Sequence, residues 1–412
     1  MFQRSVALPA FVLCAALSAL PRAARAQDPF SIDAETTSGP SEQVSVSGSS
    51  VIDLVQNLVE SKDEFSAFSG QGFSASLNYG RINDAIQVTR NAAGTSATVT
   101  IPSTGFSRTF TGSDEDEVLD KIEDFLLKDG AEEYAKFLRE VNERSLIAVV
   151  DGNPQAATAQ LSNSAYTRFG LQRSPLDAGA LAGTTAWGPG LRFDFNAGQF
   201  STEAEGDGFY FAGALSSGFR LGDRIGISLA SPFSYREVEG AKVYMGGFEV
   251  GVPIVILKPL LGRGVVWQVT PHVVGAAAGS EDLAAGGTFF GFGGTSSLSI
   301  PLGRSTALTM GNGIYFYEGY PLNLGDYEFD TDLSQQVIKN GIKLTQGLGP
   351  ISIDAGITHT DFLEESAIDY YWSPTVGIVG GIGTVGIRVA YQGDFGEDYE
   401  SHGGTVTLYL NY

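Results

Sequence analysis

The chain holds a single cysteine, Cys14, inside its first 26 residues, so disulfides and thiol chemistry are excluded from everything beyond that stretch. Basic residues are scarce: 25 Lys and Arg stand against 47 Asp and Glu, a formal net charge of −22. A surface of that sign repels phosphate backbones, which excludes nucleic acid as a partner. The three histidines, His272, His359 and His402, lie far apart, so the spacing of a metal site is missing, and no metal or other cofactor is expected. After the first 26 residues no uninterrupted apolar run reaches the roughly 20 residues that a transmembrane helix needs. A later segment that enters a bilayer must therefore do so as a closed barrel, because only helices and barrels satisfy every backbone polar group within lipid.

What is present begins with an export signal. Residues 1–26 combine Arg4, an apolar run from Val6 to Leu20 and the small-residue ending Ala24-Arg25-Ala26, which is the layout of a cleaved secretory peptide of a bacterial protein. Cleavage before Gln27 removes Arg4, Arg22 and Arg25 and no acid, taking the charge from −22 to −25. Lipid attachment at Cys14 would require small residues that Phe11-Val12-Leu13 do not supply.

Residues 27–50, rich in Ser, Thr and Gly, read as a flexible lead-in. Residues 51–151 read as a small α+β domain. Val51, Leu54, Val55, Leu58 and Val59 recur at helical spacing, and Phe73–Leu77, Ile86–Thr89 and Ala97–Ile101 are short strands. Ser113 is expected to cap a second helix that carries Asp114 to Glu117 in its first turn, where acids favour the helix dipole. Gly130 ends that helix, and Tyr134, Phe137, Leu138 and Val141 mark a third. Residues 152–188 carry little pattern and read as a linker.

From residue 189 onward the period changes to two. About twelve strands follow: Leu191–Gly198, Phe209–Leu221, Arg224–Tyr235, Val243–Leu257, Val265–Gly275, Thr288–Leu302, Thr306–Tyr317, Gln336–Gly347, Ile351–Thr358, Tyr370–Ile382, Val385–Gln392 and Thr405–Tyr412. Even strands end in tight turns with an apolar residue before Gly, as in Leu221-Gly222-Asp223 and Leu302-Gly303-Arg304. Odd strands end in acidic and mostly longer connections, such as those around Glu203 and Glu205, Glu281 and Asp282, or Asp394 and Glu397. Two kinds of rim, strictly alternating, are the asymmetry of an outer-membrane barrel. The faces agree: Ile351, Ile353 and Ile357 alternate with Ser352, Asp354 and Thr358, and the second set is too polar and small for a dry core. The expected fold is thus an all-β, transmembrane, antiparallel up-and-down barrel over residues 189–412, preceded by the α+β domain.

The chain ends with Val406, Leu408, Leu410 and a terminal aromatic, Tyr412, on one face. This resembles the C-terminal assembly signal of Gram-negative outer-membrane β-barrel proteins, a likeness confined to the last strand. The resemblance implies delivery to the barrel-assembly machinery, with outer-membrane lipid and lipopolysaccharide as surroundings.

By alternation the interior holds Arg192, Asp194, Arg220, Glu249, Gln268, His272, Lys339, Lys343, Asp354, Arg388 and Gln392. If these charges stand apart they line a water-filled path, and if they pair they form a plug. Inward Gly, Ala, Ser and Thr leave room, which favours a narrow porin-like transport channel for small polar or charged solutes, its N-terminal domain in the periplasm. The alternatives are a sealed barrel anchoring a domain that binds peptidoglycan or an envelope protein, and an autotransporter-like translocator with residues 152–188 in the pore. No nucleophile, base and orienting partner fall together on the outer wall, so no enzyme is expected.

Overall fold

The computed structural model describes residues 30–38, 41–49, 54, 57, 68, 70–125, 131–171, 190–203, 205–257, 264–280, 282–283, 285–320, 322–324, 327–329, 333–382 and 384–411. The export signal, most of the first expected helix, and Tyr412 lie outside them.

The N-terminal domain is a six-stranded antiparallel sheet in the order β2-β1-β3-β4-β5-β6. Its strands are β1 (Phe30–Thr36), β2 (Gln43–Gly48), β3 (Phe73–Tyr79), β4 (Ile82–Arg90), β5 (Ser96–Ile101) and β6 (Phe106–Thr111). Residues 27–50 were expected to be a flexible lead-in, yet they supply β1 and β2. Phe30, Ala34 and Val46 are buried while Asp33, Glu35 and Ser45 face water, so Ser-rich strands pair because every second residue is apolar. Helix α1 (Glu115–Asp124) lays Val118 on Ala97, Val99 and Phe110, with Phe125 just past its end in the same cluster. Its N-cap is Asp114 rather than the expected Ser113: the Asp114 carboxylate accepts the Glu117 N–H at 3.0 Å, and the Glu117 carboxylate accepts the Ser113 N–H at 2.8 Å. The Lys121 ammonium, followed by the Ser113 N–H, holds the Glu117 carboxyl down at about 2. Helix α2 (Ala131–Arg144) packs Phe137, Leu138 and Val141 into a second, larger core with Phe30, Tyr79 and Ile101.

The rest of the chain closes into a barrel of twelve antiparallel staves. They are β7 (Gly190–Thr202), β8 (Gly206–Arg220), β9 (Gly226–Val238), β10 (Ala241–Gly251) continued by β11 (Ile254–Leu257), β12 (Val266–Ser280), β13 (Ala285–Pro301), β14 (Thr306–Gly319), β17 (Ser334–Gly347), β18 (Ile351–Phe362), β19 (Tyr370–Ile382), β20 (Val385–Gly396) and β21 (Tyr399–Asn411). A small hairpin, β15 (Leu322–Leu324) with β16 (Tyr327–Phe329), projects between β14 and β17. The seam is the pairing of β21 with β7, from Tyr399↔Thr202 to Asn411↔Gly190. One stave breaks between β10 and β11 at Pro253, which has no N–H for the ladder.

Every expected strand is present, but those ending at the odd connections run further. β7 reaches Thr202 and β8 begins at Gly206, and β20 and β21 meet across Gly396↔Tyr399. Acids read as loop residues, among them Asp207, Glu237, Asp394 and Glu400, therefore lie within strands. The ladder continues beyond the apolar belt, where nothing requires alternation, and polarity there was mistaken for loop.

The wall is inverted relative to a soluble barrel. Phe193, Leu215, Val273, Phe292, Ile342, Ile353, Ile378 and Leu408 are all exposed on the outside. Ser216, Thr270, Thr309, Lys339, Ser352, Asp354 and Thr407 are buried within. A continuous outer apolar surface of this kind is a lipid-facing belt, since a water-soluble protein rarely exposes more than a few hundred Å² of apolar patch. Tyr370 and Trp372 join it near one rim, whereas Tyr317, next to Phe316, points inward and is buried.

The N-terminal domain sits on the rim of the odd connections, termed the loop rim; the barrel's own first and last strands begin and end at the opposite, turn rim. Arg81 pairs with Asp398 at 3.0 Å, the Arg81 N–H donates to the Glu205 carboxylate at 2.9 Å, and the Tyr79 hydroxyl donates to the Leu283 carbonyl at 3.3 Å. Asp398, Glu205 and Leu283 all belong to loop-rim connections.

Candidate functional site: the occupied lumen

Residues 152–188, expected to be a linker, begin with a segment inside the barrel. Residues 145–162 are buried without exception, and after the apolar run Leu146–Val150 they include Asp151, Asn153, Gln155, Thr158, Gln160 and Ser162, an unusual density of polar groups for a soluble core. Arg236 holds the descent, donating to the carbonyls of Ile147 (2.8 Å) and Ala148 and to Asn153 Oδ1 (3.1 Å). Asp151 accepts hydrogen bonds from Thr158 and, at 2.6 Å, from Gln335 of β17; Gln155 donates to the Tyr399 hydroxyl at 2.9 Å. Gly152 has φ +87°, and a Cβ there would lie 1.7 Å from the Asn142 carbonyl oxygen, so only glycine makes this turn.

Helix α3 (Ala157–Phe169) then runs into the middle of the lumen. Asn163 accepts from Lys339 at 2.6 Å, and Lys339 donates also to Thr360 and Tyr371. Arg168 pairs with Glu249 at 2.9 Å, both almost wholly buried. The Tyr166 hydroxyl donates to the Gly311 carbonyl at 2.9 Å, seated where Gly311 and Gly341 leave the wall bare; a Cβ on either would come within 2.8 Å of it. Phe169 fits against Gly251 in the same manner and stacks on His272. Gly251, Gly311 and Gly341 are thus sockets for side chains of α3, whereas Gly293 and Gly313 make room for His272 and Tyr315 of the wall itself.

Apart from Arg220, the residues placed inside by alternation lie on the inner side of the wall. Asp354 takes a two-pronged contact from Arg388, at 2.7 and 3.0 Å, and Arg192 does the same to Asp194. Glu249 meets Arg168, His272 lies between Phe169 and Tyr315, Gln268 donates to Thr270, and Gln392 donates to Asp394. Lys343 is buried, and Arg220 is exposed at the turn rim. Of the two states weighed from sequence, paired charges and separated charges, Arg192, Asp194, Glu249, Asp354 and Arg388 are in the paired one. A cavity of about 140 Å³ remains between α3 and the wall of β7, β8 and β17 to β21, lined by Arg192, Lys343, Arg388 and Asp394 among others.

Sequence reasoning missed Arg236, Gln335, Asp151, Asn163, Tyr166 and Arg168. Arg236 and Gln335 follow the inward parity of their strands but fell one residue beyond the strand ends drawn from sequence. Among the described residues no group of three His, Cys, Asp or Glu could hold a metal ion, and no helix is long and apolar enough to cross a membrane.

No protein-family model matches this sequence, and no curated protein matches it. Among solved structures it is similar to the translocator domain of the autotransporter NalP from Neisseria meningitidis, with 11% identity, TM-score 0.44, covering 62% of this chain and 98% of that one. It is likewise similar to the transport unit of the autotransporter AIDA-I from Escherichia coli (10% identity, TM-score 0.39, 54% of this chain and 90% of that one). A third likeness is to an outer membrane channel from Pseudomonas putida F1 (11% identity, TM-score 0.43, 54% of this chain and 96% of that one).

Proposed function

We propose that this is an outer-membrane barrel that carries its own N-terminal domain on the outer surface of the cell, tethered by a segment threaded through its lumen. The observation that supports this is the route of the chain. It leaves α2 at the loop rim, descends through residues 145–171 inside the barrel, and next enters the wall as β7 at the turn rim. In single-chain bacterial barrels with an even number of staves the short turns and both barrel ends face the periplasm, which puts the loop rim outside. The domain docked there is then extracellular, so a periplasmic partner such as peptidoglycan is not its ligand. Of the readings open from sequence, the translocator fits this route, and the sealed anchor fits the paired interior. A solute channel fits only if residues 145–171 leave the lumen.

An epitope inserted in the hairpin between β4 and β5, at Asn91 to Gly94, tests the proposal. Antibody is expected to label intact cells about as strongly as permeabilised ones. Labelling that requires outer-membrane permeabilisation would place the domain in the periplasm and refute the outward route.

A further inference from the structure

Two carboxamides stand where lipid should be. Asn312 of β14 and Asn340 of β17 are directly paired in register and both are exposed on the outer face. Their outward neighbours on the same strands are Met310, Ile314, Ile338 and Ile342, so the pair lies in the middle of the apolar belt and not at its edge. A polar group at that depth is costly when it has no partner, and such groups mark contacts made in the membrane.

Asn312 Nδ2 donates to Asn340 Oδ1 at 2.7 Å. Among the described residues no partner is found for Asn312 Oδ1 or for the Asn340 amide hydrogens. Exchanging oxygen and nitrogen in both side chains leaves the same remainder, one acceptor beside one donor. That remainder is self-complementary: a two-fold rotation sets donor against acceptor twice. The wall on either side has matching relief. An open recess of about 500 Å³ extends from the asparagines themselves over Ser296, Gly294 and Pro271; on the other flank Ile342 and Ile357, paired across β17 and β18, protrude from the wall. A two-fold axis parallel to the barrel and passing through the asparagines brings the recess of one copy onto the ridge of the other.

We propose that the wall from β12 to β18 is a homodimer interface within the membrane, its centre a four-carboxamide cluster made by Asn312 and Asn340 of two copies. Acyl chains offer no hydrogen bond, and lipid headgroups lie above or below this depth. The inference rests on the lipid-facing belt and is independent of which rim is outside.

The test uses the full chain with Cys14→Ser and one new thiol, oxidised with copper phenanthroline in native membranes. Met310→Cys, beside the pair, is expected to cross-link to twice the monomer mass, whereas Leu215→Cys on the opposite wall does not. Adding Asn312→Leu and Asn340→Leu to the Met310→Cys chain is expected to lower the yield about tenfold, the effect of roughly 1.4 kcal/mol from lost intramembrane hydrogen bonds. These leucines leave polar groups out of lipid, so folding is preserved, as the heat-dependent gel mobility of a closed barrel will report. No dimer from Met310→Cys, equal dimer from Leu215→Cys, or a yield unaffected by the leucines would overturn the proposal. Absence of the mobility shift in the unsubstituted chain would instead refute the membrane reading beneath it.

Discussion

Planar bilayers containing the refolded intact chain are expected to show no stepwise ion conductance, and bilayers containing residues 190–412 alone are expected to conduct. In the intact chain, α3 occupies the middle of the lumen, with Tyr166 and Phe169 in glycine sockets and Asn163 and Arg168 bonded to Lys339 and Glu249. Removing residues 1–189 leaves every stave of the barrel and the β21–β7 seam in place but strips those partners away, so Lys339 and Glu249 face water. A twelve-stave barrel without its filling is wider than the eight-stranded kind that side chains alone close. The rise should be at least about tenfold, since a water-lined path replaces a packed one. Equal conductance from the two forms would show that the threaded segment does not close the pore.

Breaking the Arg168–Glu249 pair should have the largest effect on stability of any single interior substitution. Their side chains are 5% and 2% exposed, so removal of one charge leaves the other buried and uncompensated. Glu249→Leu or Arg168→Met alone should each cost about 3–5 kcal/mol, while the double variant should recover most of that loss. Denaturant unfolding in detergent micelles across the double-mutant cycle measures this coupling. Additive losses would mean that the two groups do not act as a pair.

The barrel was legible in the sequence because lipid enforces alternation. Wherever a strand crosses the belt, as in Ile351 to Ile357 or Val385 to Val389, one face must be hydrocarbon. Where strands rise above the belt the constraint ends, and Arg236 and Gln335, the residues that grip the threaded segment, were hidden there. Helix α3 was illegible for a related reason. A helix on a soluble core shows a broad apolar stripe, but Ala157–Phe169 is enclosed by a polar lumen on most sides, and its stripe narrows to Ala157, Leu161, Ala165 and Phe169, two of them alanines. The sheet edge at β1 and β2 did carry a signal: Phe30, Ile32 and Ala34, then Val44 and Val46, repeat with period two beneath a Ser-rich composition. In these two strands the period-two repeat, not the Ser-rich composition, decides the conformation.

That hydrocarbon side chains face the bilayer while a helix of this same chain fills the polar interior is tested most directly by nitroxide accessibility. Labels at Leu215→Cys on the outer wall away from β12 to β18 and Ser162→Cys on α3, each in a Cys14→Ser chain reconstituted in lipid vesicles, would be compared for collision with oxygen and with a water-soluble nickel complex. The account predicts frequent oxygen collisions at position 215, where dissolved oxygen concentrates in acyl chains, and protection from both reagents at position 162. Free collision of the nickel complex at position 162, or a position 215 shielded from oxygen, would contradict it.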